Sequence, residues 1–319
     1  MAFTSIATTP GWSDNAVQKA YDLIFNWELK ASAVCEPLVD VTPKQQAHSG
    51  SSVTLQLNNY FGEADIETAT TPLSEEVDVT PTKLPGTRKV ELTPAEYGLA
   101  TVRTLKLKNR GLVDVDPVIA AAVAEHCKDT IDRLVQKKMR TSTNVTYAGT
   151  ATSVATTGNT SLAKATNIRK MVTKLRAASV AGRDGQFYVG VFHPDVIHDL
   201  REESGSGGWR VPNEYGQSQS KIFNGEFGEF EGVRFISTPT VQFAADKTAG
   251  ATSQPVYRGF ILGREALAKA VVTAPQTVVS PQVDSLRRNA GIGWYADLDY
   301  GIYRSEALRV LVSGSSVNA

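Results

Sequence analysis

Apolar residues recur at helical spacing in four stretches of the chain and alternate or cluster at strand spacing in most of the rest. The first helical stretch is SDNAVQKAYDLIFNWEL, with Ser13 or Asp14 as cap and Val17, Tyr21, Leu23, Ile24 and Trp27 on one side. The strongest is DVDPVIAAAVAEHCKDTIDRLVQKKMR. There Asp116 is placed as N-cap and Pro117 as the first helical residue, Val118, Ala122, Ile131, Leu134 and Val135 keep helical spacing, and Lys137, Lys138 and Arg140 sit at the negative pole. SLAKATNIRKMVTKLRAAS follows, with Leu162, Ile168, Val172 and Leu175 as its ridge, and HPDVIHDLREE opens a shorter helix at Pro194.

Strand patterns fill the intervals. Val53 to Leu57 alternates, and SEEVDVT and TRKVELT flank the Pro-Gly turn PTKLPG. Together these read as a long two-stranded hairpin, polar on both faces, which needs another surface to lie on. GQFYVGVF, GVRFISTP and VYRGFIL read as strands, REALAKAV as a short helical piece, and 294–302 and ALRVLVS as the last two strands. Residues 28–50 lose periodicity and read as an extended arm. Residues 141–160 read as a loop and domain boundary, and SGSGGWRVPNEYGQSQSKIFNGEFGEF as a long contact-forming loop. Helix and sheet alternate without a sustained βαβ rhythm, so the fold class is α+β.

Composition adds little until it is read locally. The 319 residues are 41% hydrophobic and 21% charged, which suits a globular core in one large or two modest domains. Lys plus Arg equals Asp plus Glu, 33 against 33, so global charge points to no nucleic-acid binder. The charges are segregated, however. Residues 51–82 carry six acids (Glu63, Asp65, Glu67, Glu75, Glu76, Asp78) and no base, whereas residues 83–110 carry seven bases against Glu91 and Glu96. Such a pair suits two arms that attract each other or attract neighbouring copies. The intersubunit candidates on this reading are Glu75, Glu76, Asp78, Lys83, Arg88, Lys89, Arg103 and Lys106.

Candidate chemistry is sparse. Cys35 and Cys127 lie far apart, in neither a metal nor a redox spacing, and read as reduced thiols. MAFTSIATTPGWSDN has no basic start or apolar run, and no stretch is long enough to span a bilayer. His193 and His198 are five apart, which misses the spacing that puts two zinc ligands on one helix face. Ser161 to Lys164 matches Ser-x-x-Lys without its partner motifs. Glu226, Glu229 and Glu231 fit a divalent cation or, more simply, a solvated hairpin turn. RTLKLKNR offers Lys106, Lys108 and Arg110 to phosphates or to another subunit. No catalytic constellation, cofactor motif or metal motif stands out, and an enzyme is not expected.

The order of elements carries more. LTPAEYGLATVRTLKLKNRGLVDVDP leads into the long capped helix, and YVGVFHPDVIHDLREE and IFNGEFGEFEGVRFISTP follow as paired landmarks. In this order the chain resembles the major capsid protein of tailed bacteriophages, with the Hong Kong 97-like fold, over nearly its whole length. That resemblance implies an N-terminal arm (1–52), an E-loop region (53–104), a peripheral domain with the spine helix (105–145), an axial domain (146–280) and peripheral return strands (281–319). It implies hexamers and pentamers of one chain forming an icosahedral head around double-stranded DNA held non-specifically, with a portal and a separate scaffolding or decoration protein as further partners and no membrane. It places the protein in the virion after assembly in the host cytoplasm. A nanocompartment shell of the same fold is the alternative, and a soluble hydrolase a more distant one. Some relatives cross-link Lys to Asn; Lys83 is a donor of the right type, and no acceptor is identified.

Overall fold

The structure is a computed structural model and describes residues 34–42, 52–59, 61, 63–70, 72, 75–76, 78–79, 81–110, 115–203, 226–280 and 288–318. Its strands and helices, in chain order, are β1 (Val53–Asn58), α1 (Glu63–Ala69), β2 (Thr87–Leu92), β3 (Ala95–Thr104), α2 (Leu105–Arg110), α3 (Val115–Met139), β4 (Val145–Tyr147), α4 (Ala165–Ala177), β5 (Tyr188–Phe192), α5 (Pro194–Glu202), β6 (Glu226–Phe230), β7 (Val233–Ser237), β8 (Tyr257–Leu262), β9 (Leu267–Ser280), β10 (Asn289–Ile302) and β11 (Leu308–Ser313). The expected helix over 13–29 and residues 204–225 of the expected long loop lie outside the described residues.

The long helix α3 spans 25 residues, with its one Pro in the first turn, where a missing N–H costs nothing. Val123, Ala124, Cys127, Ile131, Val135 and Met139 form one buried stripe along it. The stripe lies against Trp294, Ala296, Leu298 and Tyr300, alternate residues of β10, in a single apolar core that continues into the larger sheet. β10 is the centre of a three-stranded antiparallel sheet of order β3-β10-β9.

A six-stranded mixed sheet, of order β4-β11-β8-β5-β7-β6, forms the second layer system. Every residue of β5 is buried, as expected of a central strand covered on both faces. α4 contributes Ile168, Met171, Val172 and Leu175 to the core, and α5 contributes Val196, Ile197 and Leu200. β6 and β7 are joined by Glu231 and Gly232, both at positive φ (53° and 79°), the left-handed pair that a tight two-residue hairpin turn requires.

Three expectations need correction. REALAKAV is not helix: Arg264 and Glu265 form a turn and Leu267 opens β9, which pairs with β10 over most of its length and buries Leu267, Ala268 and Ala270, so tertiary pairing overrides the helix preference of Ala and Lys. TRKVELT pairs with β1 and not with SEEVDVT, in the register Val53 to Leu92 and Leu55 to Val90. RTLKLKNR spans two elements: Arg103 and Thr104 end β3, and the chain turns into helix at Leu105, with the Thr104 hydroxyl accepting from the Leu107 N–H at 3.2 Å. The described part of the arm is not loose. Cys35, Leu38 and Val39 are buried in the main core, and Val41 bridges to Ala268. The two sheets draw their strands from distant parts of the chain. β4 and β11 belong to the six-stranded sheet, and β9 joins β10 and β3.

Candidate functional site

The part of the subunit that stands out is the ribbon of β1 and β2 with the loop between them. Its two faces differ. Val53, Leu55, Val90 and Leu92 share one face and pack on Ala268 and Ala270 of β9 and on Tyr303, with Leu92 1% exposed. Gly301 of β10 lies directly under Leu92, where a Cβ would collide with the leucine side chain. Thr54, Gln56, Lys89 and Glu91 face outward. The ribbon is thus apolar on one side because its partner strand is β1, and its base finds burial on its own subunit. The expectation of a hairpin polar on both faces fails there.

Polar links fix the same base. Arg88 grips Glu306 through two bonds, Nη1 to Oε1 at 2.9 Å and Nη2 to Oε2 at 3.2 Å. This bond holds the Glu306 carboxyl below the ordinary carboxylate range and raises the Arg88 guanidinium further. The Tyr303 hydroxyl donates to the Gln56 carbonyl at 3.2 Å. Asn59 Nδ2 donates to the Gly86 carbonyl at 2.6 Å and closes the loop where it leaves the ribbon.

Beyond that closure most of the described loop residues are exposed. Residues 81–84 and Gly86 are exposed, Leu84 to 79%. Phe61, Ile66 and Val79 are exposed to 46%, 59% and 56%. Large apolar side chains in water beside carboxylates mark a surface built for contact.

The expected intersubunit residues divide. Glu75, Glu76, Asp78, Lys83, Lys89 and Lys106 are exposed, and Asp78 accepts the Val79 N–H at 2.8 Å. Arg88 is held by Glu306. Arg103 pairs with Asp116 at 2.6 Å, both largely buried, and Lys108 joins the same carboxylate at 2.9 Å. Asp116 therefore serves as an ion-pair hub between β3, α2 and α3, not as the cap its position suggested. Charge segregation in the sequence identified the bases but missed Glu306 and Asp116, which lie outside the acidic segment. Leu84 was legible as a lone large apolar residue between Lys83 and Pro85.

The remaining motifs resolve as local structure. His193 caps α5, its Nδ1 accepting the Asp195 N–H at 3.3 Å, and burial lowers its pKa. Ser161 to Lys164 leads into α4, where the Ala165 N–H is capped by Glu203 Oε2 at 2.6 Å. Both thiols are fully buried; burial raises Cys35 strongly and pushes Cys127 up to about 12. The outer face of the three-stranded sheet carries an open groove of about 460 Å³ lined by Gly98, Ala100, Val278, Gly291, Gly293 and Tyr295, which brings no acid–base pair together. Among the described residues no group of three His, Cys, Asp or Glu is placed to hold a metal ion, and no helix is long and apolar enough to cross a membrane.

The comparisons decide what this arrangement belongs to. Residues 132–293 match the family model described as phage capsid protein. The chain belongs to that family. No curated sequence matches it. Among solved structures it is similar to the capsid of Ralstonia phage GP4 (15% identity, TM-score 0.67, covering 89% of this chain and 91% of that one). It is also similar to the cyanophage Pam1 capsid asymmetric unit (13% identity, TM-score 0.66, 87% and 89%). The head structure of Helicobacter pylori bacteriophage KHP40 matches at 11% identity and TM-score 0.58, covering 86% and 87%. The α+β, Hong Kong 97-like fold read from the order of elements stands, and so does the reading of a phage major capsid protein. The capsid protein is a structural component of the virion shell, and neither the nanocompartment nor the hydrolase reading is favoured.

Proposed function

We propose that copies of this chain close into an icosahedral head of hexamers and pentamers around double-stranded DNA, each copy laying its 59–86 loop on a neighbour. One observation supports this most. The ribbon base is anchored on its own subunit, yet most of the described loop beyond it stays exposed, with Leu84 at 79%. Many weak copies of one such contact add up in a closed symmetric assembly. Glu75, Glu76, Asp78, Lys83, Lys89 and Lys106 serve that contact, while Arg88 and Arg103 act mainly inside the subunit.

On this reading residues 1–52 are the N-terminal arm, rooted in the core at 35–41, and 53–104 hold the E-loop with its ribbon. α3 and the three-stranded sheet form the peripheral domain, and the six-stranded sheet forms the axial domain. Assembly takes place in the host cytoplasm with a portal and a separate scaffolding or decoration protein, and the chain performs no catalysis. Electron microscopy of the purified protein tests this. Hexamers, pentamers or closed shells are expected, and a small monodisperse monomer that turns over a substrate would overturn it. Neighbouring genes for portal and terminase separate a phage head from a nanocompartment.

A further inference from the structure

The C-terminal half of α3 collects positive charge. Arg133, Lys137 and Arg140 fall four and three residues apart, on one face of the helix. Two of them converge on a single ring: the guanidinium carbons of Arg133 and Arg140 lie 4.9 and 4.3 Å from the centroid of Phe243. Arg140 also forks onto Asp246, with Nη2 to Oδ1 at 2.6 Å, and Arg258 reaches the same carboxylate at 3.4 Å. Asp246 is 1% exposed, and Lys247 beside it is exposed.

Two cations, Arg140 and Arg258, thus reach one buried carboxylate, with Arg133 on the Phe243 ring, Lys137 on the same helix face as Arg133 and Lys247 next to Asp246 in the chain, in a protein whose net charge is zero. Arg140 and Arg258 are neutralised in part by Asp246. Arg133, Lys137 and Lys247 are exposed and have no ion-pair partner among the described residues. Asp129, one helical turn before Arg133, forms no ion pair with it among the described residues either. Stacking on Phe243 holds the Arg133 guanidinium in place, so less side-chain entropy is lost when it meets a ligand.

We propose that this face binds the phosphate backbone of double-stranded DNA without reading sequence, and that it is therefore the lumenal face of the shell. The inference rests on the head reading above. Planar, pre-positioned guanidinium beside mobile ammonium groups is the chemistry that phosphate oxygens select.

The test measures binding of a short mixed-sequence duplex to isolated capsid protein by fluorescence anisotropy over a range of salt. It compares wild type, Arg133→Gln/Lys137→Gln/Lys247→Gln, and Lys137→Gln/Lys247→Gln, which keeps the Phe243 stack. Loss of three contacts flattens the slope of log K against log salt by about 2.7 units, and loss of two by about 1.8. An unchanged slope overturns the proposal, as does binding to poly-glutamate that matches binding to DNA. Shell formation is scored separately by electron microscopy: normal shells with a flattened slope support the proposal, and failure of the wild type to form shells sinks the head reading whatever the slope. Lys137→Cys gives the sidedness. A polyethylene-glycol maleimide too large to cross the shell labels it in subunits and leaves it unlabelled in shells, against a low background because Cys35 and Cys127 are both 0% exposed. Labelling of intact shells would overturn the lumenal placement.

Discussion

Arg88 at the start of the ribbon and Glu306 in the turn before the last strand are joined by two parallel hydrogen bonds of 2.9 and 3.2 Å. The pair ties the root of the projecting loop to the six-stranded sheet. Its effect on pH stability has a definite sign. The folded carboxyl titrates below its unfolded value of about 4.3, so the pair's contribution is complete above that pH and is lost as pH falls through the folded value. Both side chains are more than a third exposed, which limits the contribution to below about 1 kcal/mol. Glu306→Gln therefore shifts the neutral-pH urea midpoint slightly and flattens the acid limb of the stability curve. An acid limb identical to wild type would show the pair to be energetically idle.

Leu92 anchors the apolar side of the ribbon above Gly301. Leu92→Ala removes that anchor and costs about 2–5 kcal/mol, read as a drop in urea midpoint. Gly301→Ala pushes a methyl into the same leucine and costs about 1–3 kcal/mol. If both substitutions leave stability unchanged, the ribbon base is not packed as described.

His193 predicts a second acid effect at higher pH. Its Nδ1 accepts the Asp195 N–H, and burial lowers its folded pKa, with the Asp195 carboxylate opposing. The unfolded state then binds the proton first. Stability falls as pH drops below about 6.5 and levels off beneath the folded value. Asparagine at this position keeps a capping oxygen and removes the titration, so His193→Asn shows a smaller loss between about pH 7.5 and pH 5.5 than wild type. Equal losses in the two proteins would remove His193 as the cause.

Burial of both thiols predicts that neither Cys35 nor Cys127 reacts with a disulfide reagent in the native state and that both react in denaturant. Native titration of Cys35 at the rate of a free thiol would contradict the buried root of the arm, and of Cys127 the buried stripe of α3.

Removing residues 61–84, which spares both strands of the ribbon, leaves folded subunits that form no stable shells by electron microscopy. Normal shells from this variant would rule out the loop as the assembly contact.

Much of this architecture is legible in the sequence, and the failures share a cause. The buried β5, α5 opening at Pro194 and the tight turn at Glu231–Gly232 are set by local chemistry: a fully apolar run, a fixed φ, a residue free to adopt the left-handed region. Of the ridge expected on α3, Ile131 and Val135 are buried while Val118 and Ala122 are exposed, because the sheet covers the face that carries Val123, Ala124 and Cys127 instead. REALAKAV, TRKVELT and residues 34–42 were misread because their state depends on distant partners. Ala268 and Ala270 are strand because β10 pairs with them, Val90 and Leu92 are half of an apolar face because β1 supplies the other half, and Cys35 is buried because Asp132 Oδ1 accepts its N–H at 2.6 Å. Segregated charge marked the bases of 83–110, but the acids that hold Arg88, Arg103 and Lys108 come from 306 and 116, separations that no local pattern records.

The most direct measurement is amide hydrogen exchange over residues 81–86, compared between dissociated subunits and assembled shells. These residues carry no strand or helix pairing within the subunit, so they exchange freely there, and burial under a neighbouring copy slows them by an order of magnitude or more in shells. Exchange that is equally fast in both states would contradict the claim that a neighbour covers this loop.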